Sequence, residues 1–301
     1  MEIVVSGSTG LIGSALVDLL TENGHHVKRL VRAKGQGEET EVRWNIADKV
    51  LDAKAMEGAN AVVHLAGENI AARWTAAKKR KISDSRVNST QLLSEALADM
   101  TRPPEVLVCA SAIGYYGDRG EEILTEKSGP GSGFLAEVCQ AWEGATRPAA
   151  AKGIRVVHVR IGVVLSDRGG ALAKMLTPFK VGLGGIIGSG SQYWSWICLE
   201  DVVGAMLHTI TSEAVRGPVN FVSPNPTTNL EFTKILGKVL SRPTLLPLPA
   251  FAARLVLGEM AEVLLLASTR VQPKKLTESG YRFLYPDLQT CLRYLLIKNG
   301  K

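Results

Sequence analysis

Gly7-Ser8-Thr9-Gly10-Leu11-Ile12-Gly13 sets three glycines at intervals of three, between the β-branched run Ile3-Val4-Val5 and a helical period. Glycines there permit a tight turn and close backbone approach, while the helix start offers free N–H groups and a positive dipole end. That combination holds a pyrophosphate. A glycine pattern also occurs in ordinary strand-to-helix turns, but this one follows the first strand, opens a helix and falls within a βαβ unit, so a dinucleotide site is predicted. The second strand then ends at Val31 and Arg32, 19 residues beyond Gly13, with Ala33 and Lys34 following. A carboxylate at that corner would accept the ribose hydroxyl of NAD, whereas an arginine welcomes the 2′-phosphate of NADP through charge-assisted hydrogen bonds. Arg32 therefore predicts NADP as cofactor, the alternative being a surface arginine at a strand end.

The elements that must position these groups alternate from the first residue. Leu11, Ile12, Ala15, Leu16, Leu19 and Leu20 recur on one helical face, and Gly24 closes the helix. Strands are predicted at Val27 to Val31, Val42-Arg43-Trp44, Ala61 to Leu65, Val106 to Cys109, Val156 to Val159 and Val219 to Val222, with helices between most of them. Strands apolar on both faces, alternating with helices, imply a parallel sheet covered on both sides. The fold class is α/β, a doubly wound Rossmann-type sheet. From Pro243 the character changes: prolines at 247 and 249, an apolar helix from about Phe251 to Leu266, and a terminal helix with Leu288, Leu292 and Leu295. Residues 1–240 are expected to form the nucleotide-binding domain and 241–301 a small, mostly helical appendage.

Composition narrows the function classes. With 301 residues, 46% hydrophobic and 21% charged, the chain is globular and long enough for a core that needs no disulfide or metal. No apolar run reaches the roughly 18 to 20 residues of a membrane span, so a soluble protein without a membrane partner is expected. Cys109, Cys139, Cys198 and Cys291 lie far apart, with no CxxC pair and no metal-ligand spacing. They read as reduced core thiols, and no metal is predicted. The first strand begins at Glu2, which leaves no room for a leader and points to the cytoplasm, an organelle address on a longer precursor remaining compatible. The net charge, 35 minus 29 or +6, is spread along the chain. Its densest run, Lys78-Lys79-Arg80-Lys81, reads as a solvated helix face, so nucleic acid is not an expected partner.

The GxxGxxG spacing resembles the extended, sugar-nucleotide epimerase-like form of the short-chain dehydrogenase/reductase superfamily. His64-Leu65-Ala66-Gly67, Asn88-Ser89-Thr90-Gln91-Leu92-Leu93 and Trp196-Ile197-Cys198-Leu199-Glu200-Asp201-Val202 are similar to its later motifs. One branch is closer still, an epimerase family with a C-terminal domain of unknown function. Its marks here are Gly67-Glu68-Asn69-Ile70 with Arg73-Trp74, Gly114-Tyr115-Tyr116-Gly117-Asp118, Leu183-Gly184-Gly185 and Arg270-Val271-Gln272-Pro273-Lys274-Lys275-Leu276, so the resemblance spans nearly the whole chain. It implies a cofactor surface of Gly7 to Gly13, Val31 and Arg32, joined by Leu65, Ala66, Gly67, Glu68, Arg73 and Arg160. Asn45 lies where the family holds adenine, though a turn-capping asparagine would look the same.

The superfamily's chemistry uses a tyrosine and a lysine four residues later on one helix, the ammonium lowering the phenol's pKa. On the corresponding helix, Phe134 and Val138 have that spacing, and counting back from Tyr116-Gly117 the family's hydroxyl position falls on Ala112, with Ser111 one residue earlier. The only Tyr-x-x-x-Lys is Tyr294 with Lys298, in the appendage. Ser111 and Tyr115 are the substitute catalytic candidates because ligands of open α/β sheets bind beyond the carboxyl ends of strands. Tyr116, Glu68 and Arg73 follow strand ends in the same way, and Arg160 and Gln192 are candidates for an anionic group. Each also has a structural reading, Ser111 as a turn hydroxyl, the tyrosines as packing, Glu68 with Arg73 as a surface pair.

Two functions remain open on these residues. One is an NADP-dependent oxidoreductase or epimerase acting on a small polar, possibly nucleotide-linked substrate; the other is a non-catalytic NADPH-binding module or sensor that engages a protein. A homodimer is a further expectation, built on predicted helices from about Ala76 to Met100 and Leu135 to Ala151. There the small residues Ala141, Ala145 and Ala149 lie beside Leu135, Val138 and Trp142.

Overall fold

The computed structural model describes residues 1–32 and 40–298. Eight strands form the main sheet: β1 Glu2–Ser6, β2 His26–Arg32, β3 Glu41–Asn45, β4 Val50–Leu51, β5 Ala61–His64, β6 Val106–Ala112, β7 Arg155–Ile161 and β8 Gly217–Phe221. Their order is β8-β7-β6-β5-β1-β2-β3-β4, parallel throughout except for the β3–β4 pair. The chain reverses direction of winding between β1 and β5, and such a switch point opens a crevice beyond the strand ends. The glycine turn sits there.

Burial on both faces explains why β5 and β6 read as continuous apolar runs. On one face α1 (Leu11–Glu22) and α6 (Leu199–Thr211) bring Leu16, Leu20, Val202 and Met206 onto Ile3, Val63, Val108 and Phe221. On the other, α2 (Ala76–Ala98) sets Leu93 and Leu97 against Val4, Val62 and Leu107.

The long helix expected over 135–151 is two helices, α3 (Phe134–Gly144) and α4 (Arg147–Ala151). The break falls just ahead of Pro148, whose ring and missing N–H suit a first helical turn and not an interior. Ala145 and Ala149 are buried within the chain, Ala149 in the cluster with Leu93 and Leu97, so these small residues serve the close approach of α4 to α2. Only Ala141 of that stripe is exposed.

Beyond the sheet a further core joins α5 (Gly170–Lys180) and α7 (Asn229–Leu240) to the C-terminal helix Leu288–Arg293. It contains Leu172, Trp194, Trp196, Phe232, Leu236, Leu288, Leu292 and Leu295. Residue 240 therefore does not separate two cores. The C-terminal part also adds Arg270–Val271 as a strand beside Ile123–Leu124. The apolar helix expected over 251–266 is interrupted at Gly258, whose φ of +62° suits glycine.

Asp201, fully buried in the first turn of α6, fastens this last segment to the sheet. Its carboxylate accepts from Tyr281 Oη at 3.1 Å, Leu284 N at 2.7 Å and Tyr285 N at 2.9 Å. Asp201→Ala leaves two backbone donors without partners, and a loss of about 3 kcal/mol is expected from unsatisfied groups of this kind. Urea unfolding of the variant should show a lower midpoint; an unchanged midpoint would mean that water replaces the carboxylate freely.

Candidate active site

Gly7 has φ +67°, and a Cβ there would come within 2.9 Å of Ala66 N and Leu65 C. A Cβ on Gly13 would stand 2.1 Å from Gly7 O, a distance no side chain tolerates. These two glycines let β1 turn into α1 with its backbone laid against the end of β5. The Gly10 N–H donates to Gly7 O at 3.0 Å, and no side chain caps α1, so its opening turn faces the crevice with N–H donors uncovered by any cap. Thr9 and Gly10 are exposed, Leu11 and Ile12 half-buried and Ser8 buried. Opposite, Gly170 (φ +74°) brings the start of α5 against Leu11, where a Cβ would meet Leu11 Cδ2 at 3.3 Å. The cradle fits a diphosphate and leaves no space for side chains at its floor.

Val31 is half-buried, and Arg32 is exposed at the end of β2, beside Trp44 of β3. Ala33 and Lys34 lie outside the described residues. Asn45 proves to be a turn cap: its Oδ1 accepts from Ala47 N at 3.0 Å while Nδ2 donates to Asp48 Oδ2 at 2.6 Å.

Behind the cradle runs a buried neutral relay. Ser6 Oγ accepts from the N–H groups of Leu65 (3.1 Å) and Ala66 (3.3 Å) and lies 2.6 Å from His64 Nδ1. With its proton given to Nδ1, His64 Nε2–H donates to Ser89 Oγ at 3.0 Å, and Ser89 donates to Ser85 O. Every polar atom of the relay has a partner when the imidazole is neutral. Complete burial pushes His64 down from 6.5 to about 4, so it stays neutral at physiological pH. The ring orders the Leu65–Ala66 backbone that borders the glycines.

Cys139 of α3 points its thiol to Ala112 O at the end of β6, 3.7 Å away. Leu135 lies 3.1 Å from where a Cβ on Gly114 would stand and shares a buried apolar cluster with Trp74 and Ile82. Phe134 packs edge-on against Trp74, ring centroids 5.3 Å apart, under Lys79, and Val138 is buried. Leu135 has no proton to give. Burial pushes the Cys139 thiol up to about 11, which keeps it protonated. Trp74, Phe134, Ile70, Met260, Val263 and Leu264 close this end with an apolar cluster.

Ser111 is buried at the carboxyl end of β6. Its hydroxyl donates to Glu143 Oε1 at 2.7 Å, and Glu143 grips Arg160 through two parallel bonds, Nε to Oε1 and Nη2 to Oε2, both 2.8 Å. Arg160 Nη1 also donates to Tyr116 Oη at 3.0 Å, and Tyr116 reaches Asn220 Oδ1 at 2.7 Å. Burial opposes the Arg160 charge, but the carboxylate outweighs it and holds the guanidinium firmly protonated. Arg160 is thus committed to Glu143 and not to a ligand anion. Its guanidinium carries the Tyr115 ring, 3.4 Å from the centroid. Tyr115 is half-buried, and its phenol has no hydrogen-bond partner among the described residues. Gln192 bridges Ile187 O and Leu265 O, a structural role. Glu68 pairs with Lys78 and not with Arg73, which is exposed. Sequence reasoning passed over Glu143 and Arg86; the spacing of Glu143 four residues after Cys139 was the one available signal. Tyr294 belongs to the C-terminal core, stacked on Tyr285, and nothing in the described structure brings it to the crevice.

Residues 3–222 match the model of the NAD dependent epimerase/dehydratase family. The chain belongs to that family. Residues 248–295 match a second model, described as a domain of unknown function (DUF1731). An epimerase family protein of Mycobacterium tuberculosis is 44% identical over 299 residues, covering 99% of this chain and 98% of its own. The chloroplastic SDR39U1 homolog of Arabidopsis thaliana is 38% identical, covering 98% and 87%. The crystal structure of human epimerase family protein SDR39U1 (isoform 2) with NADPH superposes with a TM-score of 0.89 at 34% identity, covering 98% of this chain and 99% of that one. Among the described residues no helix is long and apolar enough to cross a membrane, and no group of His, Cys, Asp and Glu could hold a metal ion.

The relay makes stability depend on pH in a definite direction. His64 takes a proton near pH 6.5 in the unfolded chain but only near 4 in the fold, so its contribution is complete above 6.5 and is lost as pH falls toward 4. The loss expected from this one group is about 3 kcal/mol. NMR titration should find the His64 imidazole neutral at pH 5.5 while unfolding midpoints fall between pH 6.5 and 4; an imidazole titrating near 6.5 would contradict the relay.

Proposed function

We propose that the chain binds NADPH across the Gly7–Gly13 turn and is an NADP-dependent oxidoreductase or epimerase of a small polar substrate. The observation that carries this reading is the cradle: two glycines that no side chain can replace, an uncapped helix start, and an exposed arginine where a 2′-phosphate would lie. The relative crystallised with NADPH supports the choice of cofactor. The nicotinamide supplies or takes a hydride when bound. In this chain, Gly7, Gly13 and the first turn of α1 hold the diphosphate, Arg32 holds the 2′-phosphate, and Leu65 to Gly67 line the edge of the crevice.

Leu135 and Cys139 cannot work as a phenol and ammonium pair, so proton transfer falls to another group. Tyr115 is our candidate, since its phenol is unpartnered and its ring rests on a fixed cation. A second reading is favoured by one observation, the packing of Phe134 on Trp74 under Lys79. A crevice closed by apolar side chains suits an NADPH-binding module that does not turn over.

Fluorescence titration distinguishes NADPH from NADH. One charge-assisted contact from Arg32 favours NADPH by roughly 10- to 150-fold. Arg32→Ala should erase that preference, and Gly13→Ala should abolish binding of both; equal affinities in the unaltered protein would remove Arg32 from the site. Deuteride exchange from labelled NADPH into candidate acceptors then separates the readings. Exchange lost in Tyr115→Phe supports the enzyme, and tight NADPH binding with no exchange across acceptor classes supports the module.

A further inference from the structure

The helix that follows Pro249, α8 (Ala250–Leu257), is packed the reverse of an ordinary surface helix, which turns its large apolar residues to the core. Its small residues face inward: Ala250 lies beside Gly188 and Ala253 is buried. Its largest side chains point out, with Phe251 71%, Leu255 77% and Val256 68% exposed.

The neighbouring loops continue this face. Residues 243–248 run along 182–188: Leu248 N donates to Ile186 O at 2.8 Å, Gly188 N donates to Leu248 O at 2.9 Å, and a Cβ on Gly185 would run into Leu246 O. Leu245 on the one stretch and Val181 and Leu183 on the other are more than half exposed. Eight of the thirteen large apolar side chains exposed among the described residues fall within 181–183 and 245–256. Single apolar residues are ordinary on a surface, whereas a concentration of this kind marks a contact.

The charges at the rim identify what covers it. Lys180 adjoins Val181, Arg242 Nε donates to Lys180 O at 2.9 Å, and Lys238 lies in the last turn of α7, where Thr244 packs on Gly237. All three cations are exposed, and none is in an ion pair among the described residues. The acids nearby are engaged: Glu231 caps α7, Glu259 pairs with Lys79 and Glu262 with Arg254. Residues 170–189 hold no acid at all. A second copy docked through a two-fold contact would bring these cations toward their own counterparts, which disfavours self-association. Protein hot spots centre on Trp, Tyr and Arg, with Leu and Val under-represented and Lys depleted. Leucine, valine and phenylalanine inside a lysine and arginine rim instead suit a segment lying in the interface of an anionic bilayer.

We propose that α8 and the loops at 181–183 and 243–248 dock the protein on an anionic lipid surface, the apolar side chains entering the acyl boundary and Lys180, Lys238 and Arg242 meeting lipid phosphates. The expectation of no membrane partner rested on the lack of a spanning run, and a peripheral patch needs none. Met260, three residues beyond α8, belongs to the cluster that closes the crevice, so docking carries that end of the crevice to the lipid.

The test floats the full chain with vesicles of phosphatidylcholine alone and of phosphatidylcholine with phosphatidylglycerol in equal parts. Binding is expected on the anionic vesicles, weak on the neutral ones and falling as salt is added. Phe251→Ser with Leu255→Ser should lower the partition about a hundredfold. Lys180→Ala with Arg242→Ala should lower it roughly 25-fold. Arg80→Ala with Lys81→Ala, in the basic run of α2, should leave it unchanged, with melting temperature as the folding control throughout. Hydrogen exchange on the unaltered chain gives a reading free of substitutions, with the amides of 250–257 protected on anionic vesicles. The proposal is overturned if the chain does not float with anionic vesicles, if binding is lost with the α2 substitutions and kept with those on α8, or if exchange at 250–257 ignores the vesicles. A doubled mass in light scattering that reverts in Phe251→Ser also overturns it, by assigning the face to a second copy.

Discussion

The ion pair of Arg160 and Glu143 ties separate elements of the sheet and its helices together. Arg160 ends β7, Glu143 rides on α3, Ser111 of β6 donates to the same carboxylate, and Tyr116 passes the network on to Asn220 of β8. Asn220 then donates to Gln272 O, and its own N–H is accepted by Glu126, which also takes the Lys275 N–H. Three strands, one helix and the C-terminal segment therefore meet on one buried charge pair. Taking two ions out of water is costly, and the arrangement holds because the pair is bidentate and its remaining donors and acceptors are filled. Deleting one member would strand the other charge, at a cost of about 3–5 kcal/mol in comparable buried pairs.

This pair also explains the character of the adjoining crevice. It anchors α3 at Glu143, and one turn nearer the N-terminus the Cys139 thiol points to Ala112 O at the end of β6. The guanidiniums packed around this region come from other elements, Arg86 of α2 over the Trp142 ring and Arg160 of β7 beneath Tyr115. Two neutral devices complete the frame: the Ser6–His64–Ser89 relay that orders the Leu65–Ala66 backbone, and the apolar cluster around Trp74 and Phe134.

The C-terminal segment is as much part of this frame as the sheet. Asp201 holds residues 281–285, Ser195 Oγ accepts from Val271 N, and Ser268 N donates to Asp118. Met260, Val263 and Leu264 then press on the Trp74–Phe134 cluster, so residues distant in sequence close the crevice end. A cleft built this way is shaped by two parts of the chain that share buried hydrogen bonds and not merely a surface.

Local patterns settled the first layer of this description. Ile3-Val4-Val5 followed by Gly7, Gly10 and Gly13 could only be a buried strand turning into a helix start. Alternation of buried strands with helical periods implied a parallel sheet covered on both sides, because each signal lies within a few residues and depends on backbone sterics and burial. The absence of a phenol and ammonium pair was legible too, since neither 134 and 138 nor 135 and 139 holds such groups. What tertiary structure alone decided was direction and partnership. One residue of helix phase is about 100° of rotation, so only the fold shows that it is the Cys139 thiol that reaches Ala112 O while Phe134 packs on Trp74. Asn45 became a turn cap, and Ser111 and Arg160 became partners of Glu143, because an ion pair depends on residues tens of positions apart, which no local spacing encodes.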